Sequence, residues 1–281
     1  MIRESAPHWI RRAWREGWAV GMFNAHHLEA VQAVAAAAEA RRAVVMLSTT
    51  MGGLKHVGLD YFVAMAAAAR RSVSVPLILH LDHGADFDIV KRVIEAGFDS
   101  VMIDASATRY EDNVALVREV VALARRHGVG IEAQIGETLA EEGEEVIERK
   151  TTVEEAVRFV ADTDVDYLAV SIGNTPGTLG DGAPIDVPLV RALAAAVERP
   201  LVLHGGTSVP PAVVREVVAA GIAKINIDAA TKGAFRRVLQ RHYGVDEPVV
   251  DTRLPMAEAR SAAQEAVEER IVLFGADGKA D

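Results

Sequence analysis

Residues Val75–Ser106, VPLILHLDHGADFDIVKRVIEAGFDSVMIDAS, hold one complete unit of the fold. Leu77–Asp82 is a short run, apolar almost to its end. A strand with one wet face alternates, so such a run indicates a strand covered on both faces. Asp86–Ala96 follows as an amphipathic stretch that Asp86 can cap and Gly97 ends, and Ser100–Asp104 is a second apolar run. Strand, helix and strand in this order form a parallel βαβ unit.

The same alternation extends in both directions. The other apolar runs are Ala19–Asn24, Val44–Ser48, Gly130–Gly136, Tyr167–Gly173, Leu201–Gly205 and Ala223–Asp228. Helices are expected over His27–Ala40, Leu59–Arg70, Glu111–Arg126, Thr152–Ala161, Val187–Val197, Pro210–Ala220 and Thr231–Gln240. Pro210–Pro211 opens one of them, and Gly128 and Gly221 end two. Eight β/α units without a composition break predict a closed (β/α)8 barrel, residues 1–281 forming one domain. An open doubly wound sheet would also accommodate the strands, but no GxGxxG follows the first. Pro255–Phe274 reads as an additional C-terminal helix.

The 281 residues are half hydrophobic and carry a formal charge of -10. That is enough for a large core, and the acidic balance argues against nucleic acid or an anionic membrane as partner. With no cysteine there is neither a disulfide nor a thiolate metal site, so a metal must sit on His, Asp or Glu. The charged N-terminus has no apolar signal core, and no apolar stretch approaches a membrane span; a cytoplasmic enzyme is expected.

Chemistry in such barrels sits at the C-terminal strand ends. Those ends carry Asn24, Ser48, Asp82 with His83, Asp104, Glu132 with Gln134, Gly173, His204, and Asn226 with Asp228. Each could instead cap the next helix, and Asp86 and Ser106 read as caps. Asp82, His83 and His204 finish strands too apolar for an idle polar group. In HLDHG, His80 and Asp82 share one face while His83 leaves in the turn. An acid beside an imidazole suits a metal ligand next to a proton carrier, and equally a hydrogen-bonded structural cluster.

VPLILHLDHG, AGFDSVMIDAS, GIEAQIG, PLVLHGGTSVP and GIAKINID, in this order, resemble the successive signature segments of the class II, metal-dependent fructose-bisphosphate and tagatose-bisphosphate aldolases. GMFNAHHLEAVQAV is similar to that family's opening strand and helix, and ERIVLFGADGKA to its closing segment. The resemblance implies an aldehyde-lyase acting on a ketose phosphate or related sugar, with a divalent cation, zinc in the family. By it Asp82 handles the proton of the hydroxyl on the aldehyde half, and His83 and His204 hold the metal. Asn24, Ser48 and Asp104 surround the reacting oxygens. Gly177, Gly205, Thr207, Asn226 and Asp228 touch substrate and phosphate. Glu142, preceded by Glu141, matches the glutamate on a mobile loop that takes the proton from the substrate carbon. A homodimer or homotetramer is implied, with Leu273 and Phe274 offered as apolar contacts.

The chain departs from the pattern where metal and phosphate bind. Pro176 stands where the family has its third zinc histidine, and Gln134 where it has a glutamate near the metal. His26 and His27 replace the asparagines after the first strand; with Asp104 and Glu132 they are candidate substitutes for the absent ligand. The family's phosphate-site lysine and threonine align with Gly180 and Ala229. The expectation is a metal site weaker than the family's, filled with substrate present. Two alternatives remain open: a metal-independent lyase or isomerase, for which Lys224 or Lys232 could form a Schiff base, and a non-catalytic partner protein.

Overall fold

The structure, a computed structural model, describes residues 4–136, 149–173, 185–244 and 250–281. Eight parallel strands close into a barrel in sequence order: β1 Val20–Asn24, β2 Val45–Thr50, β3 Leu77–Gly84, β4 Ser100–Ile103, β5 Gly130–Ile135, β6 Tyr167–Val170, β7 Leu201–Leu203 and β8 Ile222–Ile227. Asn24 pairs with Ser48, Ser48 with His80 and His80 with Ser100, so a row of polar residues crosses β1 to β4, from the end of β1 to the start of β4. The expected eight units and tail helix are present. The helices that follow β1, β2 and β8 are α2 Leu28–Ala40, α4 Leu59–Ser72 and α10 Ala229–Tyr243; the tail is α11 Arg253–Leu273.

Two helices were not expected. α1, Ala6–Glu16, buries Ala6, Trp9, Ile10 and Ala13 on one stripe and contacts β1, β5 and β8. One helix reaching strands from separate parts of the ring must lie across its end. Pro7 sits against Gly130 at the start of β5, so that end is the N-terminal one. α3, Met51–Val57, is a short turn started by Thr50, whose Oγ1 accepts from Gly53 N at 3.1 Å.

α11 packs on α2 and α10, with Ala33, Ala259 and Ala263 against Phe235 and Val238. Phe274 cannot serve as a subunit contact: it is 1% exposed, inside the main core, and its carbonyl accepts from Ala19 N at 3.0 Å. Among the described residues no helix is long and apolar enough to cross a membrane.

β3 ends on a bulge, its register against β4 shifting between Leu81 and Gly84. His83 there takes a left-handed φ of 49°, which turns its ring toward the barrel mouth. A Cβ on Gly84 would lie 2.6 Å from the Met102 carbonyl oxygen and 2.9 Å from Val90 Cγ2. Gly84→Ala is therefore expected to destabilise by about 2 kcal/mol, the usual scale of overpacking. Denaturant unfolding measures it; an unchanged midpoint would show that the bulge accommodates the methyl.

Candidate active site

The C-terminal mouth gathers Asn24, Asp82, His83, Asp104, Glu132, His204 and Asn226 into one hydrogen-bonded system. His83 Nδ1 faces Asp104 Oδ2 at 2.6 Å, and His204 Nε2 faces Glu132 Oε1 at 2.7 Å. A carboxylate only accepts, so both of these nitrogens carry protons. The remaining nitrogens, His83 Nε2 and His204 Nδ1, turn toward each other at 3.0 Å. Asp82 Oδ1 lies 3.8 Å from His83 Nε2.

Asp82 is gripped by two amides: Asn24 Nδ2 donates to Oδ2 at 2.8 Å, and Asn226 Nδ2 to Oδ1 at 3.1 Å. Asn226 Nδ2 is also 3.3 Å from His204 Nε2. Two N–H groups cannot bond each other, so its bond is the one to Asp82. Burial pushes the Asp82 carboxyl up, but the imidazoles of His83 and His204 and the charge of Lys224 outweigh this and hold it below the usual range. Burial likewise opposes charge on His83, yet Asp82 and Asp104 raise it to about 9. Asp104 falls to about 2 against its burial, through His83 and two bonds from Ser106, Oγ at 2.7 Å and N at 3.1 Å. Ser106 is thus a brace for Asp104 and not a helix cap; Asp86 is a cap, accepting from Ile89 N at 2.9 Å.

Glu132 is fully buried, and burial disfavours its charge. Lys224, reaching across from β8 with Nζ 2.8 Å from Oε2, and His204 keep it ionised well below the usual range. His80 lies deeper, its Nδ1 2.8 Å from Ser100 Oγ, which in turn meets the Tyr167 hydroxyl. Burial and the Lys224 charge lower His80 to about 3, so it is neutral.

These residues suit a divalent cation. Metal-binding histidines commonly give their far N–H to a carboxylate, as both do here, and the near nitrogens converge. Asp82, His83 and His204 each offer a ligand atom, all within 4.8 Å of one another. The candidate substitutes for the absent histidine are placed otherwise. Asp104 and Glu132 are spent on the far nitrogens. His27 Nδ1 accepts from Ala30 N at 3.2 Å, starting α2, and its ring lies against Phe235. His26 is not in the group of three. Glu141, Glu142, Pro176, Gly177 and Gly180 lie outside the described residues.

Beside Asn24 a cleft of about 200 Å³ is lined by His26, Thr49, Thr50, His56 and Lys232. Asn24 Oδ1, buried, has no hydrogen-bond partner among the described residues, and neither has Ser48 Oγ. Burial and the Lys232 charge lower His26 to about 4. Lys232 Nζ is 2.7 Å from Asp228 Oδ2. Gly205 takes a φ of 65°, and Thr207 Oγ1 accepts from Ala230 N at 3.3 Å, tying the β7 end to the start of α10. A larger cavity, about 780 Å³, opens at the opposite end beside α1, and none of the mouth residues lines it.

Sequence reasoning found the mouth but missed Ser106, the Lys224–Glu132 pair and the cleft residues His56 and Lys232 as neighbours. Only the period of two along β8, which puts Lys224 beside Asn226, hinted at the second of these.

Comparison with known proteins matches residues 4–279 to the family described as fructose-bisphosphate aldolase class-II. A fructose-bisphosphate aldolase of Thermus caldophilus is 35% identical over 298 residues, covering 96% of this chain and 97% of that one. A sulfofructosephosphate aldolase of Alkalicoccus urumqiensis is 32% identical, covering 96% of each. Among solved structures, the YdjI aldolase of Escherichia coli K12 superposes with a TM-score of 0.87 at 30% identity, covering 99% of both chains.

Proposed function

The chain belongs to the class II fructose-bisphosphate aldolase family, and from that premise we propose that its mouth makes and breaks the carbon–carbon bond of a ketose phosphate by two proton transfers flanking a divalent-metal site. The observation that supports this best is the pair of imidazoles, each with a carboxylate on its far nitrogen and its near nitrogen turned to the other. His83 and His204 would hold the cation, with Asp82 in reach. When bound there, a cation, zinc by family precedent, supplies Lewis-acid polarisation of a carbonyl oxygen.

The residues of the chain do the rest. In cleavage, Asp82, ionised and aimed by Asn24 and Asn226, takes the proton of the hydroxyl beside the breaking bond. That oxygen becomes the aldehyde carbonyl, and the bonding pair moves to the ketone half. The carbon left there gains a proton, which we assign to Glu142. Asn24 Oδ1 and Ser48 Oγ, unpartnered among the described residues, accept and donate to substrate hydroxyls. The loop Gly205–Thr207 and the first turn of α10 offer backbone N–H groups to a phosphate, with Asn226 and Asp228 nearby; Gly177 is assigned to the same role by the family resemblance alone. The working form is taken to be a cytoplasmic homodimer or homotetramer; light scattering at micromolar concentration that shows only monomer would remove the oligomer.

The direct test is aldol cleavage followed by trapping of the released aldehyde, with metal removed and restored. No aldehyde from any ketose mono- or bisphosphate, in protein with metal present, would end this reading. The aldehyde half is assigned to the cleft beside Asn24, its anionic end drawn to Lys232. Lys232→Met should raise KM for glyceraldehyde 3-phosphate in condensation about tenfold, the scale of one charged hydrogen bond, and leave neutral glyceraldehyde unaffected. An equal shift for both aldehydes would remove Lys232 from this role.

A further inference from the structure

We infer that Lys224 is a positioning residue that sets both halves of the mouth at once, through Glu132 on the metal side and through Asn226 on the proton side. This rests on the reading of the mouth given above. Lys224 is 0% exposed, and its ammonium lies 2.6 Å from Asn226 Oδ1 and 2.8 Å from Glu132 Oε2. Both contacts run to groups with a choice of orientation.

An asparagine amide can turn over and exchange its oxygen for its nitrogen. An ammonium only donates, so Lys224 fixes the oxygen of Asn226 downward and leaves Nδ2 to donate to Asp82. Inverted, the amide would set its oxygen against the carboxylate. Imidazole has a comparable choice of tautomer. With Oε2 of Glu132 on Lys224, Oε1 meets His204 Nε2 at 2.7 Å, so the proton stays on Nε2 and the lone pair of Nδ1 faces His83. One buried cation thereby selects an amide orientation on β8 and a tautomer at the end of the neighbouring β7. The same two contacts hold Nζ as a buried donor to Asn226 and Glu132.

The test compares Lys224→Met with wild type. Nitrogen NMR of the His204 ring in metal-free protein should show one tautomer in wild type and a mixture in the variant. Calorimetric titration should find cobalt bound about 10- to 100-fold more weakly, the usual effect of disturbing the partner of a ligand, with a shifted visible band. Turnover should fall about 100-fold while KM stays within a few-fold. Combining Lys224→Met with Glu132→Gln should cost cobalt affinity little beyond Glu132→Gln alone, because Lys224 acts through Glu132. Should Lys224→Met leave Glu132 unpaired and the chain unfolded, the double variant, which removes both charges, carries the test. A single unchanged tautomer with wild-type cobalt affinity, or losses that add in full, would overturn the proposal. The ring NMR does not depend on aldol cleavage, so it separates this failure from failure of the functional reading.

Discussion

Removing the metal with a chelator, or replacing His83 by alanine, is expected to lower aldol turnover by about 10³-fold or more while leaving the barrel folded. Lewis-acid stabilisation is worth several kcal/mol, and each 1.4 kcal/mol is a factor of ten. Among the described residues Lys224 is buried and engaged by Glu132 and Asn226, Lys232 is paired with Asp228, and His80 is neutral and buried. His83→Ala also releases Asp104, so the loss should not be rescued by added imidazole alone. Titration of zinc, manganese and cobalt into both proteins measures the binding side. The pH dependence has a definite sign. In the metal-free protein His83 is protonated up to about pH 9, and its Nε2 must lose that proton to bind. Apparent affinity should rise up to about tenfold per unit from neutral pH toward 9 and level off above it. For the metal-free fold the sign is opposite. The raised value means the charged ring stabilises fully below its unfolded pKa near 6.5, and that contribution disappears as pH climbs through about 9. Identical binding curves for wild type and His83→Ala, or full activity in excess chelator, would show that this barrel works without metal.

Asp82→Ala is expected to slow turnover by about 10²- to 10⁴-fold, the range for a positioned proton-transfer group, and Glu142→Ala by at least about 100-fold. Asp82→Asn is the sharper variant because it keeps the volume between Asn24 and Asn226. Its amide must set an N–H against one of the two donors that now grip the carboxylate, so the side chain should also rotate. A structure of that variant should show the rotation, and its kcat should fall with KM little changed. The partition arises because the proton moves only in the transition state, so binding loses little. Activity within a few-fold of wild type would assign the hydroxyl proton elsewhere.

The barrel was legible because parallel strands covered on both faces print as continuous apolar runs, and nothing competes with LILHL or VLHGG for that meaning. α1 escaped because three arginines interrupt its apolar positions, and its four buried positions emerge only once a barrel end exists to receive them. α3 escaped because a glycine pair reads as loop. At the site, residues at strand ends could be assigned to one mouth from topology alone. Contacts across the barrel could not: Lys224 and Glu132 sit on β8 and β5, and no local pattern pairs them. In the sequence His27 reads as the start of a helix or as a relocated ligand; its Nδ1 caps α2 by accepting from Ala30 N, and the ring is not in the Asp82, His83 and His204 group. Phe274 cannot reach a neighbouring subunit because the chain's own core encloses it. An apolar residue near a chain end suits either place, and only the packed barrel decides between them.

The proton shared between His83 and His204 gives the molecule a past. It occupies the line between two nitrogens that a cation would otherwise draw to itself, and it satisfies both rings well enough that no strand or helix need move. A batch passed through mildly acidic buffer would give up its ion and with it the stability the ion lends, yet keep its size and its spectrum in the far ultraviolet. A batch kept alkaline would hold the ion. Two samples of one sequence, alike by every measure of shape, would then differ in rate, and the difference would belong to the handling and vanish when both were soaked with the same ion at the same pH.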